Sequence, residues 1–220
     1  MLFGKRNTAD SGADLSGVLI GSRAGYFAGL TSPAMLGPGI VKKAGFITVT
    51  PPDTDVISWV SSIKARLKGA VTIVDISNDI LRNFSLSYDF ADLLVINPDG
   101  KDGIDSMDIS DTVNLLDTIL NLRLCYEKLT PIYLRVSEKV TPDELNTLLT
   151  FCRLSGVDGI VSPGPVKTAT IRELTDGRYP LLGYASSPEE AVQTIAAGAS
   201  AVELHASRWQ FGKLLKTLER

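Results

Sequence analysis

The segment IYLRVSEKVTPDEL occupies residues 132–145 and contains a complete strand-to-helix transition. Its first half, Ile132 to Ser137, places an aliphatic residue at every second position, which predicts a β-strand. Thr141 and Pro142 then predict the start of a helix, because a capping hydroxyl is followed by proline and by acidic residues in the first turn. The segment therefore predicts one strand followed closely by one helix.

The same strand-then-helix pattern recurs along the chain and predicts eight units. The predicted strands are Gly17 to Ser22, Phe46 to Thr50, Val71 to Ile76, Leu93 to Asn97, Ile132 to Ser137, Gly159 to Ser162, Pro180 to Gly183 and Ala201 to His205. Strands that alternate with helices favour a parallel sheet, and eight such units are typical of one closed (β/α)8 barrel. We therefore predict a single α/β barrel domain over residues 1–220.

The connecting segments carry helix signals of their own. Ser77 or Asn78 is expected to cap the helix after the third strand, and Ser187 the helix after the seventh. Further helices are predicted over residues 109–128, 168–174 and 212–218. The loop of residues 23–38, after the first strand, is a candidate lid over the barrel.

Composition narrows the class of protein. The chain is 44% hydrophobic and 21% charged, with a net charge of -3, so it predicts a globular domain without the basic surface that nucleic acids require. Its beginning lacks the apolar core of a signal peptide, and no apolar run is long enough to span a membrane. These features predict a cytoplasmic protein, and they leave a homodimer open.

The cysteines and the histidine do not form a metal-binding pattern. Cys125 and Cys152 lie on two predicted helices, neither has a neighbouring cysteine or histidine at ligand spacing, and the chain holds one histidine. We therefore predict two reduced thiols and no metal site.

Polar residues alternate with aliphatic ones on several strands. Because the helix-facing side of a barrel strand is apolar, the polar members are expected to point into the barrel. The predicted inward set is Thr48, Thr50, Asp75, Ser77, Asn97, Tyr133, Arg135, Ser137, Ser162, Glu203 and His205. Barrel enzymes place their active sites at the carboxyl ends of the strands, where many of these residues lie.

Three members of this inward set are charged. Burying Asp75, Arg135 or Glu203 alone would cost several kcal/mol, so each must pair with another of them or with a ligand. The sequence leaves both outcomes open. If Arg135 forms a bidentate bridge to Asp75, Arg135→Lys should destabilise the fold, because an ammonium group cannot reproduce that fork.

The turn from Gly183 to Ser187 is a candidate phosphate site. It enters a helix whose first backbone amides face the same end of the barrel, and Ser186 and Ser187 offer additional hydroxyl donors. The alternative is a helix cap that binds no ligand.

Several segments together carry a family resemblance. They are Thr48 to Pro51, Val71 to Asn78, Asp92 to Asn97, Tyr133 to Arg135, Thr141 to Leu145, Gly156 to Ile160 and Ala196 to Glu203. Through them the chain resembles the dihydroorotate dehydrogenases, which are FMN-dependent barrels of pyrimidine metabolism. The resemblance implies an oxidoreductase fold with FMN at the mouth of the barrel.

The resemblance also implies residue roles. Gly21 and Ser22 would lie beside the flavin, Thr48 and Asp75 would line its cavity, Asn97 would face the substrate and the ring, and Ser162 would lie near the ring edge. Gly183, Ser186 and Ser207 would contact the phosphate.

The chain also departs from the family. Arg135 stands where the family has a lysine, and Asp75 stands where it has an asparagine. Gly100 occupies the position of the serine or cysteine base, which leaves Asp99, Asp102 and His205 as candidate acid–base groups.

Three functions therefore remain open. The first is a divergent dihydroorotate dehydrogenase-like barrel without that activity, in which Asp75, Arg135 and Glu203 close the lumen. The second is an active FMN-dependent oxidoreductase of altered specificity, with Arg135, Asp99 and His205 as catalytic residues. The third is an isomerase, synthase or aldolase that binds a phosphate-bearing ligand, with Glu203 and His205 as its catalytic candidates.

Overall fold

Eight parallel strands close into a barrel, in which each strand pairs with the next and the last pairs with the first. The strands are β1 Leu19–Ala24, β2 Phe46–Val49, β3 Thr72–Ile76, β4 Leu93–Ile96, β5 Ile132–Arg135, β6 Gly159–Pro163, β7 Leu181–Ala185 and β8 Ala201–Leu204. The structure is a computed structural model that describes residues 19–24, 46–52, 55–66, 71–99 and 107–204. The predicted barrel is confirmed.

Six helices of the described residues surround the barrel. They are α1 Val56–Arg66, α2 Ile80–Ser87, α3 Ile109–Arg123, α4 Pro142–Ser155, α5 Gly164–Leu174 and α6 Pro188–Ala196. The predicted closing helix over residues 212–218 lies outside the described residues, as does the candidate lid from residue 25 onward.

The starts of three helices test the sequence signals that predicted them. Thr141 caps α4 as predicted and also forms a capping box with Glu144, and its hydrogen bonds lower the pKa of the Glu144 carboxyl. The predicted Ser77 or Asn78 cap of α2 is wrong, because Asp79 precedes the helix in a left-handed conformation and makes no side-chain cap. Helix α5 begins four residues early, at Gly164, because a proline in the first turn needs no hydrogen-bond acceptor for its nitrogen.

The core has two layers, one on each face of the strands. The outer layer packs aliphatic strand residues such as Ile47, Val74 and Leu134 against the helices. The inner layer fills the barrel with Phe46, Ile73, Leu93, Val95, Tyr133, Val161, Leu182 and Ala201. Burying each large apolar side chain stabilises the fold by about 1.5–3 kcal/mol, so both layers contribute.

Tyr133 and Gly159 show how tightly the inner layer is filled. A Cβ atom on Gly159 would lie 2.3 Å from Cζ of Tyr133, so only glycine leaves room for the ring on the adjacent strand. Burial raises the pKa of the Tyr133 phenol well above its usual range. The amino-terminal part of the lumen is therefore packed with side chains, and the candidate site lies beyond it.

The cysteines follow the prediction of unpaired thiols. Cys125 is exposed and Cys152 is buried, and neither forms a disulfide. Burial raises the pKa of the Cys152 thiol to about 12, which makes it a packing residue.

Candidate functional site at the carboxyl ends of the strands

A buried polar layer lies directly above the apolar inner layer. Thr48, Asp75, Arg135 and Glu203 each follow an inner-layer residue by two positions, so their side chains point into the same lumen. Thr48, Asp75 and Glu203 are fully buried, and Arg135 retains 12% exposure. The alternation in the sequence predicted all four positions correctly.

Arg135 joins the two acids. Its Nη2 donates to Oδ2 of Asp75 at 2.8 Å and lies 3.5 Å from Oε2 of Glu203. Thr48 donates from Oγ1 to the same Glu203 oxygen at 2.9 Å. The pairing among the three charged residues is confirmed, and the bridge to Asp75 is not bidentate, because a single guanidinium nitrogen contacts both carboxylates.

The guanidinium also stacks on an aromatic ring that the sequence did not single out. Its central carbon lies 5.5 Å from the centre of the Tyr184 ring, within the range of a cation–π interaction. Tyr184 follows the inner-layer residue Leu182 by two positions, so the same alternation rule could have identified it. Arg135 on β5 therefore contacts side chains from β3, β7 and β8.

A row of three polar residues lines the lumen at the ends of β3, β4 and β5. The ladders pair Asp75 with Val95 and Val95 with Tyr133, so the next inward positions, Ser77, Asn97 and Arg135, stand side by side. The backbone amide of Asn97 donates to the backbone carbonyl of Ile76 at 2.9 Å, which continues the ladder beyond the strands.

Asn97 also holds the turn that follows it. Its Oδ1 accepts a hydrogen bond from the backbone amide of Asp99 at 3.3 Å, and Asp99 is half-buried. This contact places the acid–base candidate Asp99 beside the row, while its catalytic role stays a prediction.

Ser162 does not line the lumen, and that prediction is wrong. On β6, Val161 belongs to the inner layer and Ile160 to the outer one, so Ser162 faces the helices. Its hydroxyl is fully buried and bonded to the Thr168 hydroxyl of α5 at 2.6 Å. A polar residue on the outer face is tolerated here because α5 supplies a hydrogen-bond partner.

The candidate phosphate turn is engaged by a carboxylate of the protein itself. Oε2 of Glu190 accepts from the Ser186 amide at 2.7 Å and from the Ser186 hydroxyl at 2.6 Å. The hydroxyl of Ser187 in turn accepts from the Glu190 amide, so the turn is a helix cap. Sequence reasoning missed Glu190, although serine followed three residues later by glutamate is a capping-box pattern.

Gly183 serves packing in the outer layer. A Cβ atom at this position would lie 2.3 Å from the Thr194 methyl group of α6, so the glycine lets the helix approach β7. Its predicted phosphate contact stays a prediction.

The remaining predicted residues are described in part or not at all. Gly21 and Ser22 lie in β1, where Gly21 pairs with Phe46 and Glu203 in the two neighbouring ladders. His205 and Ser207 lie outside the described residues.

The described side chains do not fit FMN at two of the implied positions. The Ser162 hydroxyl is directed away from the lumen, and the Ser186 donors are bonded to an acid that would repel a phosphate. Asp75 and Arg135 also bond to each other where the resemblance implies separate contacts to a flavin.

The described residues contain neither a cluster of metal ligands nor a membrane-spanning helix. No group of three metal-ligating side chains occurs there. None of the described helices is both long and apolar enough to cross a bilayer.

Comparison with known proteins identifies the architecture. No protein-family model matches the sequence, and no curated protein matches it significantly. A dihydroorotate dehydrogenase from Eimeria tenella, crystallised with ferulenol, superposes with a TM-score of 0.66 at 16% identity, covering 91% of this chain and 81% of that one. The fold is a TIM barrel.

Barrels of other activities are equally similar to this one. A proposed deoxyribose-phosphate aldolase from Coccidioides immitis gives a TM-score of 0.67 at 12% identity, covering 100% of this chain and 90% of that one. A proposed phosphonomutase from Burkholderia cenocepacia J2315 gives 0.62 at 14% identity, covering 92% and 90%. Since three different activities share the architecture at this identity, the likeness describes the fold, and function must be argued from the site.

Proposed function

We propose that this protein is a divergent dihydroorotate dehydrogenase-like barrel that binds a small molecule at its carboxyl-terminal mouth without using FMN to oxidise dihydroorotate. The observation that carries the proposal is the contact of Arg135 Nη2 with both Asp75 and Glu203. In the family that the chain resembles, a lysine at the position of Arg135 and an asparagine at the position of Asp75 would interact with the flavin. Here the arginine neutralises acids of its own barrel.

The turn between β7 and α6, where the resemblance implies a phosphate contact, supports the same proposal. Glu190 supplies the oxygen that Ser186 would otherwise find on a phosphate, and it brings negative charge to that turn. A phosphate there would have to displace a charge-assisted hydrogen-bonded cap and approach a carboxylate, and both steps are unfavourable.

Two alternative functions would use residues at the same end of the barrel. An active FMN oxidoreductase would use Arg135, Asp99 or His205 near the ring, with Asn97 facing the substrate. An isomerase, synthase or aldolase acting on a phosphate-bearing ligand would rely on Glu203 or His205. Glu203 is fully buried and already bonded to Thr48, which favours a role in holding the lumen together.

The test is a visible absorption titration of purified protein with FMN. We expect a colourless preparation and no bound-flavin spectrum at millimolar FMN. The matched variant is Asp75→Asn/Arg135→Lys, which restores the residues that the resemblance implies and should raise flavin affinity. Riboflavin lacks the phosphate and therefore distinguishes two causes of exclusion. If riboflavin binds and FMN does not, Glu190 excludes the phosphate; if neither binds, the lumen excludes the ring.

The opposite result would end the proposal. A yellow protein that retains FMN through gel filtration and is reduced by dihydroorotate would establish the oxidoreductase. Turnover of a phosphorylated sugar without flavin would favour the third function.

Location and partners complete the proposal. The free thiols Cys125 and Cys152 suit a reducing compartment, which favours the cytoplasm. The net charge of -3 favours small-molecule ligands over nucleic acid, and a homodimer stays compatible with the chain.

A further inference from the structure

The row of Ser77, Asn97 and Arg135 contains two buried polar atoms that have no hydrogen-bond partner among the described residues. Ser77 is 7% exposed, and its Oγ has no hydrogen-bond partner among the described residues. The Nε of Arg135 is also buried without a partner in that part of the chain, although its Nη2 is engaged by two acids. Buried polar groups are nearly always bonded, so two such groups in one row, on either side of Asn97, point to a ligand.

The geometry of the row defines what the ligand must offer. Neighbouring strands lie about 4.8 Å apart, so three adjacent inward side chains span the size of a small planar molecule. The Nε of arginine is a donor only, and the Ser77 hydroxyl can donate. The Oδ1 of Asn97 already accepts from Asp99, which leaves its amide nitrogen as the group available for donation. The ligand must therefore present acceptors.

Charge decides which acceptor it is. Among the described side chains, Asp75 and Glu203 contact one guanidinium nitrogen, and half-buried Asp99 adds a third carboxylate beside Asn97. An anion entering this row would approach more negative than positive charge in a poorly solvated place. An uncharged carbonyl group accepts the same hydrogen bonds without that repulsion.

We infer that Ser77, Asn97 and the Nε edge of Arg135 form a binding site for an uncharged ligand that carries a carbonyl acceptor, such as an amide, lactam or imide. The inference rests on the proposed function, because a flavin would occupy the same end of the lumen. Tyr184 covers the guanidinium from β7, which directs the ligand toward the β3 to β5 side.

The test is an NMR titration that observes the Arg135 Nε–Hε resonance directly, together with the backbone amides of Ser77 and Asn97. The probes are 2-pyrrolidinone and succinimide as uncharged carbonyl compounds, with acetate and inorganic phosphate as anions at matched ionic strength. We expect the carbonyl probes to shift the Nε–Hε signal in a saturable manner and the anions to bind more weakly.

Two alanine variants identify the contacts. Ser77→Ala removes one hydrogen bond to the probe and should weaken binding about three- to tenfold. Ser87→Ala is the matched control, because it also removes a fully buried hydroxyl without a hydrogen-bond partner in the described structure, at the end of α2, and it should leave the affinity unchanged.

Three results would overturn the inference. The first is no saturable shift with either carbonyl probe up to 100 mM, which is about the weakest affinity that a single small fragment gives. The others are equal affinity in Ser77→Ala and wild type, and tighter binding of the anions. These outcomes are independent of the flavin titration. A protein that excludes FMN and also ignores the carbonyl probes would retain the proposed function and lose this site.

Discussion

At the scale of single residues, Arg135 links strands that are distant in sequence. Its guanidinium on β5 bonds Asp75 on β3, approaches Glu203 on β8 and lies over the Tyr184 ring on β7. Burying a pair of charges yields little net stability, but removing one partner leaves the other buried and uncompensated. The side chain is therefore more important for stability than its single short contact suggests.

Replacing this arginine should destabilise the protein strongly. Arg135→Gln leaves two fully buried carboxylates without their cation, and we expect a loss of about 3–5 kcal/mol in the free energy of unfolding measured by urea denaturation. Arg135→Lys keeps the charge and should lose less.

The matched control is Arg82→Gln. Arg82 is exposed, and its contact with Asp79 is a surface pair at 3.6 Å, so the change should stay within about 0.5 kcal/mol. Equal urea midpoints for Arg135→Gln and Arg82→Gln would show that the lumen network does not stabilise the fold.

At the scale of elements, the turn between β7 and α6 combines a general property of helices with one particular side chain. A helix N-terminus with free amides attracts anions, and barrels commonly use this end for phosphate. In this chain Glu190 binds back to Ser186 and provides the anion from within. One glutamate thus converts a potential ligand site into a cap.

Removing that glutamate should make the turn respond to phosphate. Glu190→Ala frees the amide and hydroxyl of Ser186, and we expect 50 mM phosphate to raise the Tm of the variant by about 2–4 °C relative to chloride at equal ionic strength, for a phosphate Kd of about 10 mM. Wild type should show no such rise.

Glu189→Gln controls for charge, because it removes one acid from the same helical turn and leaves the Ser186 contacts in place. A phosphate-dependent rise in the wild type as large as in Glu190→Ala would contradict the assignment of Glu190 as the occupant of the turn.

At the scale of the whole molecule, the sequence predicted the barrel because the pattern repeats. Alternation on β2, β3, β5 and β8 placed the polar residues inside, since one face of each strand meets helices. The same rule failed on β6, where Ser162 shares the outer face with Ile160 and finds its partner in Thr168 of α5. A hydrogen bond between a strand and the following helix cannot be read from alternation alone.

The sequence predicted which charged residues form the candidate site, but not which of their atoms make contact. Opposite charges on inward positions required each of Asp75, Arg135 and Glu203 to pair with another of them or with a ligand. That a single nitrogen serves two acids, and that Ser77 has no partner in the described structure, depend on how the strands are staggered. Register between strands distant in sequence is a property of the closed barrel.

Closure of the barrel should appear in hydrogen exchange. Each of the eight described strands forms two ladders and none of them is an edge strand, so opening any one strand breaks hydrogen bonds on both of its sides. We expect the backbone amides of β2 to β7 to exchange only through global unfolding, with opening free energies that agree within about 1 kcal/mol, while helix ends open more easily.

Native-state exchange followed by NMR at increasing urea should show the strand isotherms merging. Arg135→Gln should lower all of them by the same amount, because the network joins β3, β5 and β8. Amides of β2 and β3 exchanging about 2 kcal/mol more easily than those of β5 and β6 would mean instead that the barrel opens as two halves, and that the charges of its lumen join two separately stable parts.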